Sequence, residues 1–130
     1  MLIIREEQIQ HFIARDEPEL VKLIAGIIRT GNFERVKDYP DETLEAMTRI
    51  GIERAKTYDF ERAEDIAAFV AVMFEISPDF DRQEDIKTLL EDKNFAPAQK
   101  FEQIWGRVPE EIWTKAEEGY NAATWFPDKQ

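Results

Sequence analysis

His11 is the only histidine of the chain, and Glu7 lies one helical turn before it. A carboxylate at that spacing can orient an imidazole and raise its pKa for base catalysis. No serine, cysteine or second ligand is spaced to work with the pair, so a surface or cap histidine is the favoured reading. The run Asp79-Phe80-Asp81-Arg82-Gln83-Glu84-Asp85 alternates oxygen ligands as the start of a calcium loop does. Such a loop needs glycine at its sixth position and glutamate at its twelfth, where this chain has Glu84 and Leu90. The run therefore reads as a connection between two helices, its carboxylates capping the second. What remains is an outward-facing acidic patch, built from Glu75, Asp79, Asp81, Glu84 and Asp85. No glycine-rich phosphate loop, nucleophile elbow or H-E-x-x-H zinc motif occurs. With 28 acidic residues, a pair of carboxylates carries no weight of its own. The expectation is no catalytic centre, no cofactor and no metal.

Charge narrows the partners. The formal net charge is −11, and both halves of the chain share it. Such a surface repels nucleic-acid phosphates and anionic lipid, since binding either depends on Lys and Arg releasing counterions. A macromolecular partner, if there is one, is expected to be a basic protein. Plain solubility is the simpler explanation of the same charge. The absence of cysteine excludes disulfides, a thiolate nucleophile and thiolate-bound metal. The opening MLIIREEQIQHF lacks the basic region and apolar run of a signal peptide, and no window approaches the roughly 18 apolar residues of a membrane helix. The expected location is the cytoplasm.

The elements that must position these residues are helical nearly throughout. Ile9, Phe12 and Ile13 make one stripe on a short helix from Arg5 to about Arg15, preceded by a possible short strand at Leu2–Ile4. Asp16-Glu17-Pro18 starts a second helix, whose face of Leu20, Leu23, Ile24, Ile27 and Ile28 ends at Gly31. Residues 31–40 read as the longest loop, held down by Phe33, Val36 and Tyr39. A third helix opens at Pro40 and runs to Tyr58. The strongest periodicity follows, with Ile66, Phe69, Val70, Met73 and Phe74 on one stripe closed by Ser77-Pro78. Further helices are expected over Gln83–Glu91, after Pro97, and after Pro109. The predicted fold is all-α, a compact single-domain bundle of six or seven helices over residues 1–130, with 121–130 a docked or partly mobile tail.

Two features sit on this framework. Gly51, Ala55 and Tyr58 fall on one face of the third helix, where small residues let a neighbouring helix approach closely. Arg54 can reach from the same helix to Asp79 or Asp81 and fix the register of two helices without doing chemistry. The second feature is the C-terminal concentration of Trp105, Trp113, Tyr120 and Trp125. Helical spacing favours core packing for these rings, whereas an exposed Trp125-Phe126 pair would mark a binding site.

Met1-Leu-Ile-Ile-Arg-Glu-Glu-Gln8, Gly51-Ile-Glu-Arg54-Ala-Lys-Thr-Tyr58, Phe69 with Met73-Phe74, and Pro78-Asp-Phe-Asp81 together resemble a family of small uncharacterised bacterial proteins. Genes of that family lie beside effector and spike genes of type VI secretion systems. The likeness covers roughly residues 1–105, and the C-terminal remainder matches less. It implies a non-enzymatic accessory: an immunity protein that neutralises a co-encoded toxin, or a chaperone or adaptor that loads an effector. The resemblance supplies no catalytic residues. A small hydrolase using a carboxylate pair is the alternative from another class. Its requirement is a concave pocket that holds two acids within roughly 10 Å.

Overall fold

A computed structural model describes residues 17–120 together with Trp125. Among these residues the regular structure is seven α-helices and one 3-10 turn, with no strand. The helices are α1 (Glu17–Gly31), α2 (Phe33–Val36), α3 (Asp41–Thr57), α4 (Ala63–Glu75), α5 (Glu84–Glu91), α6 (Pro97–Arg107) and α7 (Glu110–Glu118); the 3-10 turn is Phe80–Arg82. The expected strand at Leu2–Ile4 and helix at Arg5–Arg15, with His11 and Glu7, lie outside the described residues. No described helix is long and apolar enough to cross a membrane.

Helix α4 is the centre. Ile66, Phe69, Val70, Met73 and Phe74 are all essentially inaccessible, and Ala63, Ala67, Ala71 and Val72 are buried with them. A helix apolar on most of its circumference has to be surrounded, and α1 and α3 pack directly on it. Helix α1 contributes Leu20, Val21, Ile24 and Ile28, and α3 contributes Leu44, Met47, Ile52 and Ala55. One hydrophobic cluster extends from Leu20 to Trp125. Charges at the helix ends suit the macrodipole: Asp41 and Glu42 open α3, and Arg54 and Lys56 close it.

The stretch expected as a loop at 31–40 contains α2, one turn of helix. Val36 is buried there and Tyr39 half-buried, but Phe33 stands 54% exposed and anchors nothing. Arg29 explains why the connection is ordered. Its guanidinium donates to Val36 O and to Asp41 Oδ1, both at 2.8 Å, tying α1 to α2 and α3.

The end of α3 is also specific. Asp59 follows it with φ of 69°, in the left-handed region that aspartate tolerates better than most residues. The Asp59 and Phe60 amides donate back to Lys56 O and Ala55 O, closing the helix as glycine usually does. Phe60 is thereby turned into the core, where it stacks with Phe101 of α6.

Candidate functional site

Gly51 lies where α3 meets α4. A Cβ on Gly51 would stand 2.9 Å from Val70 Cγ2 and 3.2 Å from Met73 Sδ. Ala55, one turn on, is fully buried. Arg54 and Tyr58 leave the same helix toward the chain that follows α4. The Arg54 guanidinium donates to Pro78 O at 2.5 Å and to Asp81 Oδ1 at 3.4 Å. The Tyr58 hydroxyl donates to Asp81 Oδ2 at 2.8 Å. Asp81 is 3% exposed, and both its oxygens accept from α3. Burial, with the hydrogen bond to Asp81 and the charges of Asp81 and Glu91 adding to it, pushes the Tyr58 phenol well above its ordinary pKa, against the opposing Arg54.

The acidic stretch that follows is divided by the fold. Asp81 turns inward, so it does not belong to an outward-facing patch. Its partner Arg54 had two candidates by spacing, and the structure selects Asp81 over Asp79. Asp79 instead accepts the Ser77 hydroxyl at 2.5 Å. Glu91 pairs with Lys87 at 3.7 Å, and Asp92 accepts the Asn94 amide at 2.8 Å. Glu75 is partly exposed at the end of α4. Glu84 and Asp85 occupy the exposed first turn of α5 and form no ion pair among the described residues. They make no side-chain cap, so their contribution to α5 is the favourable field at a helix N-terminus.

Trp125 is 1% exposed, with its ring 4.5 Å from that of Phe74, and its indole donates to the Tyr120 hydroxyl at 3.3 Å. It is a core residue and offers no face to a partner. Phe126 lies outside the described residues.

Lys100 was not singled out by the sequence. It is 4% exposed, and its ammonium donates to Leu90 O at 2.5 Å and to Tyr58 O at 3.2 Å. Those carbonyls lie at the C-terminal ends of α5 and α3, where a cation is favoured by both dipoles. Burial chiefly holds the Lys100 pKa below its ordinary value; Lys93 acts in the same sense, against Asp59 and Asp92. The signal was present, since Lys100 and Ile104 stand four residues apart on the buried face of α6, and Val108 is buried at its C-cap.

A cleft of about 450 Å³ opens beside this cluster, with Glu53, Tyr58, Asp81, Arg82 and Lys87 in its wall. Glu53 and Asp81 are the carboxylates there. Because Asp81 already accepts from Arg54 and Tyr58, its place is explained by joining α3 to the 3-10 turn. Comparison of the chain with protein-family models, curated proteins and solved structures gives no match.

Proposed function

We propose that this chain is a non-enzymatic accessory that binds a basic protein, and specifically an immunity protein that neutralises a co-encoded toxin. The observation that carries the reading is the division of labour among the acids. Asp81 locks the fold from inside, whereas Glu84 and Asp85 project from α5 without an ion pair among the described residues. Acids with no structural partner, on a chain of charge −11, can attract a cationic surface without weakening the fold that carries them. Asp79 is partly exposed just before the turn that leads into α5, whereas Glu75 borders residues 30–35 and Glu117. The resemblance to proteins encoded beside type VI effector and spike genes supplies the biological setting, and the cytoplasm as the proposed location.

The products of the neighbouring genes, used as bait, should capture the chain, and its association with the captured partner should slow as salt is added. Glu84→Lys with Asp85→Lys should slow association at least tenfold and leave the helical spectrum intact. Unchanged association of that folded variant would remove α5 from the interface. Protection of a cell expressing the isolated toxin domain identifies immunity. Binding to an effector's delivery segment without protection identifies a loading adaptor instead.

A further inference from the structure

Trp105 of α6 and Trp113 of α7 stack on one another. Their ring centroids are 4.6 Å apart and their planes 29° apart, an offset stack. Trp113 continues inward to Phe80, at 6.3 Å, so the pair is rooted in the turn that leads into α5. Trp105 is the outer member and remains 38% exposed. An indole this large is normally drawn further inside, and tryptophan is the side chain most enriched among interface hot spots.

The surroundings of the pair are acidic. Glu102 lies three residues before Trp105 on α6, and Glu110 three residues before Trp113 on α7, a spacing that puts each acid on the same helix face as its indole. Both are exposed and form no ion pair among the described residues, and the same holds for Glu111 and Glu118 on α7. Of the nearby cations, Arg107 is drawn aside, its guanidinium 5.1 Å from the Phe95 ring centre, and Lys115 shares a pocket wall with the three carboxylates Glu110, Glu111 and Glu118. An indole face flanked by carboxylates attracts a cation that is also planar and apolar on its faces. Arginine fits better than lysine, because its guanidinium stacks on the ring while its edge donates to the acids.

We propose that the Trp105–Trp113 stack, with Glu102 and Glu110, is the docking point for an arginine side chain of the basic partner. The site rests on the reading that the partner is basic, and names where one of its residues is held. It adds an anchor to the charged surface of α5: long-range attraction sets the encounter, and the buried guanidinium–indole contact sets how long the complex lasts.

The test uses L-argininamide as probe, with two-dimensional NMR of the intact chain. The indole N–H signals of Trp105 and Trp113 should shift and saturate, and that of the buried Trp125 should not. Citrullinamide, the uncharged isostere, should leave all three in place. Trp105→Ala should abolish the Trp113 shift, and Trp105→Phe should retain part of it, with circular dichroism checking that each variant is folded. Against the captured partner, Trp105→Ala should raise the dissociation rate at least tenfold with little effect on association. Shifts spread over the α5 acids, or equal shifts with citrullinamide, would overturn the site. A basic partner that dissociates from Trp105→Ala at the wild-type rate removes the site and leaves the functional reading. Saturating indole shifts without any captured basic partner do the reverse.

Discussion

Tyr58 and Asp81 are 23 residues apart in sequence, and the phenol donates to the carboxylate across 2.8 Å. The contact joins the last turn of α3 to the 3-10 turn beyond α4, and Arg54 closes on the same carboxylate from one helical turn earlier. Asp81 is thus the acceptor on which a whole corner of the bundle converges. The Asp81 side chain is only 4% exposed, whereas that of Arg54 is 20% exposed and borders the cleft, so the carboxylate is the member that depends on its partners.

Asp81→Ala should therefore destabilise the chain by about 1–3 kcal/mol, because Tyr58 loses its acceptor while Arg54 keeps Pro78 O and some access to water. Glu84→Ala, three residues away but exposed, should stay within about 0.5 kcal/mol of the parent. Urea unfolding of the two variants decides this. Loss of less than about 1 kcal/mol on Asp81→Ala would show that the cluster does not secure the corner.

Gly51 presents the opposite balance, in which a residue unfavourable to its own helix is retained for its neighbour. Alanine at that position gains about 1 kcal/mol of helix propensity. Its Cβ, however, would meet Val70 Cγ2 at 2.9 Å, and a β-branched side chain in a helix has almost no alternative rotamer. Gly51→Ala should consequently be neutral or destabilising by up to about 2 kcal/mol, and Gly51→Leu should cost about 1–3 kcal/mol. In a Val70→Ala background only the flexible Met73 thioether, at 3.2 Å, still presses on the new Cβ, so Gly51→Ala should become stabilising there. A double-mutant cycle from denaturation midpoints measures that coupling. Additive effects would place the cost of Gly51→Ala somewhere other than Val70.

The α3–α4 contact was legible in sequence because its signal is local: a glycine on the apolar face of one helix, facing a neighbour rich in alanine and valine. The helical architecture was legible for the same reason, and the five-residue stripe of α4 is buried throughout. What could not be read was direction. Asp79 and Asp81 are identical in type and two residues apart, and only the 3-10 turn at Phe80–Arg82 decides that Asp81 faces α3 while Asp79 accepts from Ser77. Phe33 misled because α2 is too short to have a periodicity that could show which way its apolar residues point. Lys100 was missed because its acceptors, Tyr58 O and Leu90 O, are backbone carbonyls on two other segments, invisible in a pattern of side chains. Trp125 followed the packing reading of the aromatic C-terminus, whereas the exposed face belongs to Trp105.

The raised Tyr58 pKa makes a pH prediction whose sign follows from linkage. Near neutrality the phenol is protonated in both folded and unfolded chains, and its hydrogen bond to Asp81 contributes fully. Above pH of about 10 an unfolded tyrosine ionises. The folded Tyr58 stays protonated to higher pH, chiefly because of burial and then because of Asp81. The unfolded state then binds fewer protons, so stability falls as pH rises through this range. Lys100 acts in the opposite sense, since burial lowers its folded pKa. Its effect is confined to the interval between that lowered value and the ordinary lysine value near 10.5. Tyr58→Phe isolates the tyrosine contribution. At pH 7 it should cost about 1–2 kcal/mol through the lost donor to Asp81, and the gap to the parent should close above pH of about 10. In a phenolate absorbance titration of the folded chain, the most alkaline of the tyrosine transitions should disappear in Tyr58→Phe. Tyr39, raised mainly by burial, should still titrate in that variant. A gap that stayed constant up to pH 11, or a last transition surviving in Tyr58→Phe, would mean that the phenol does not answer to Asp81.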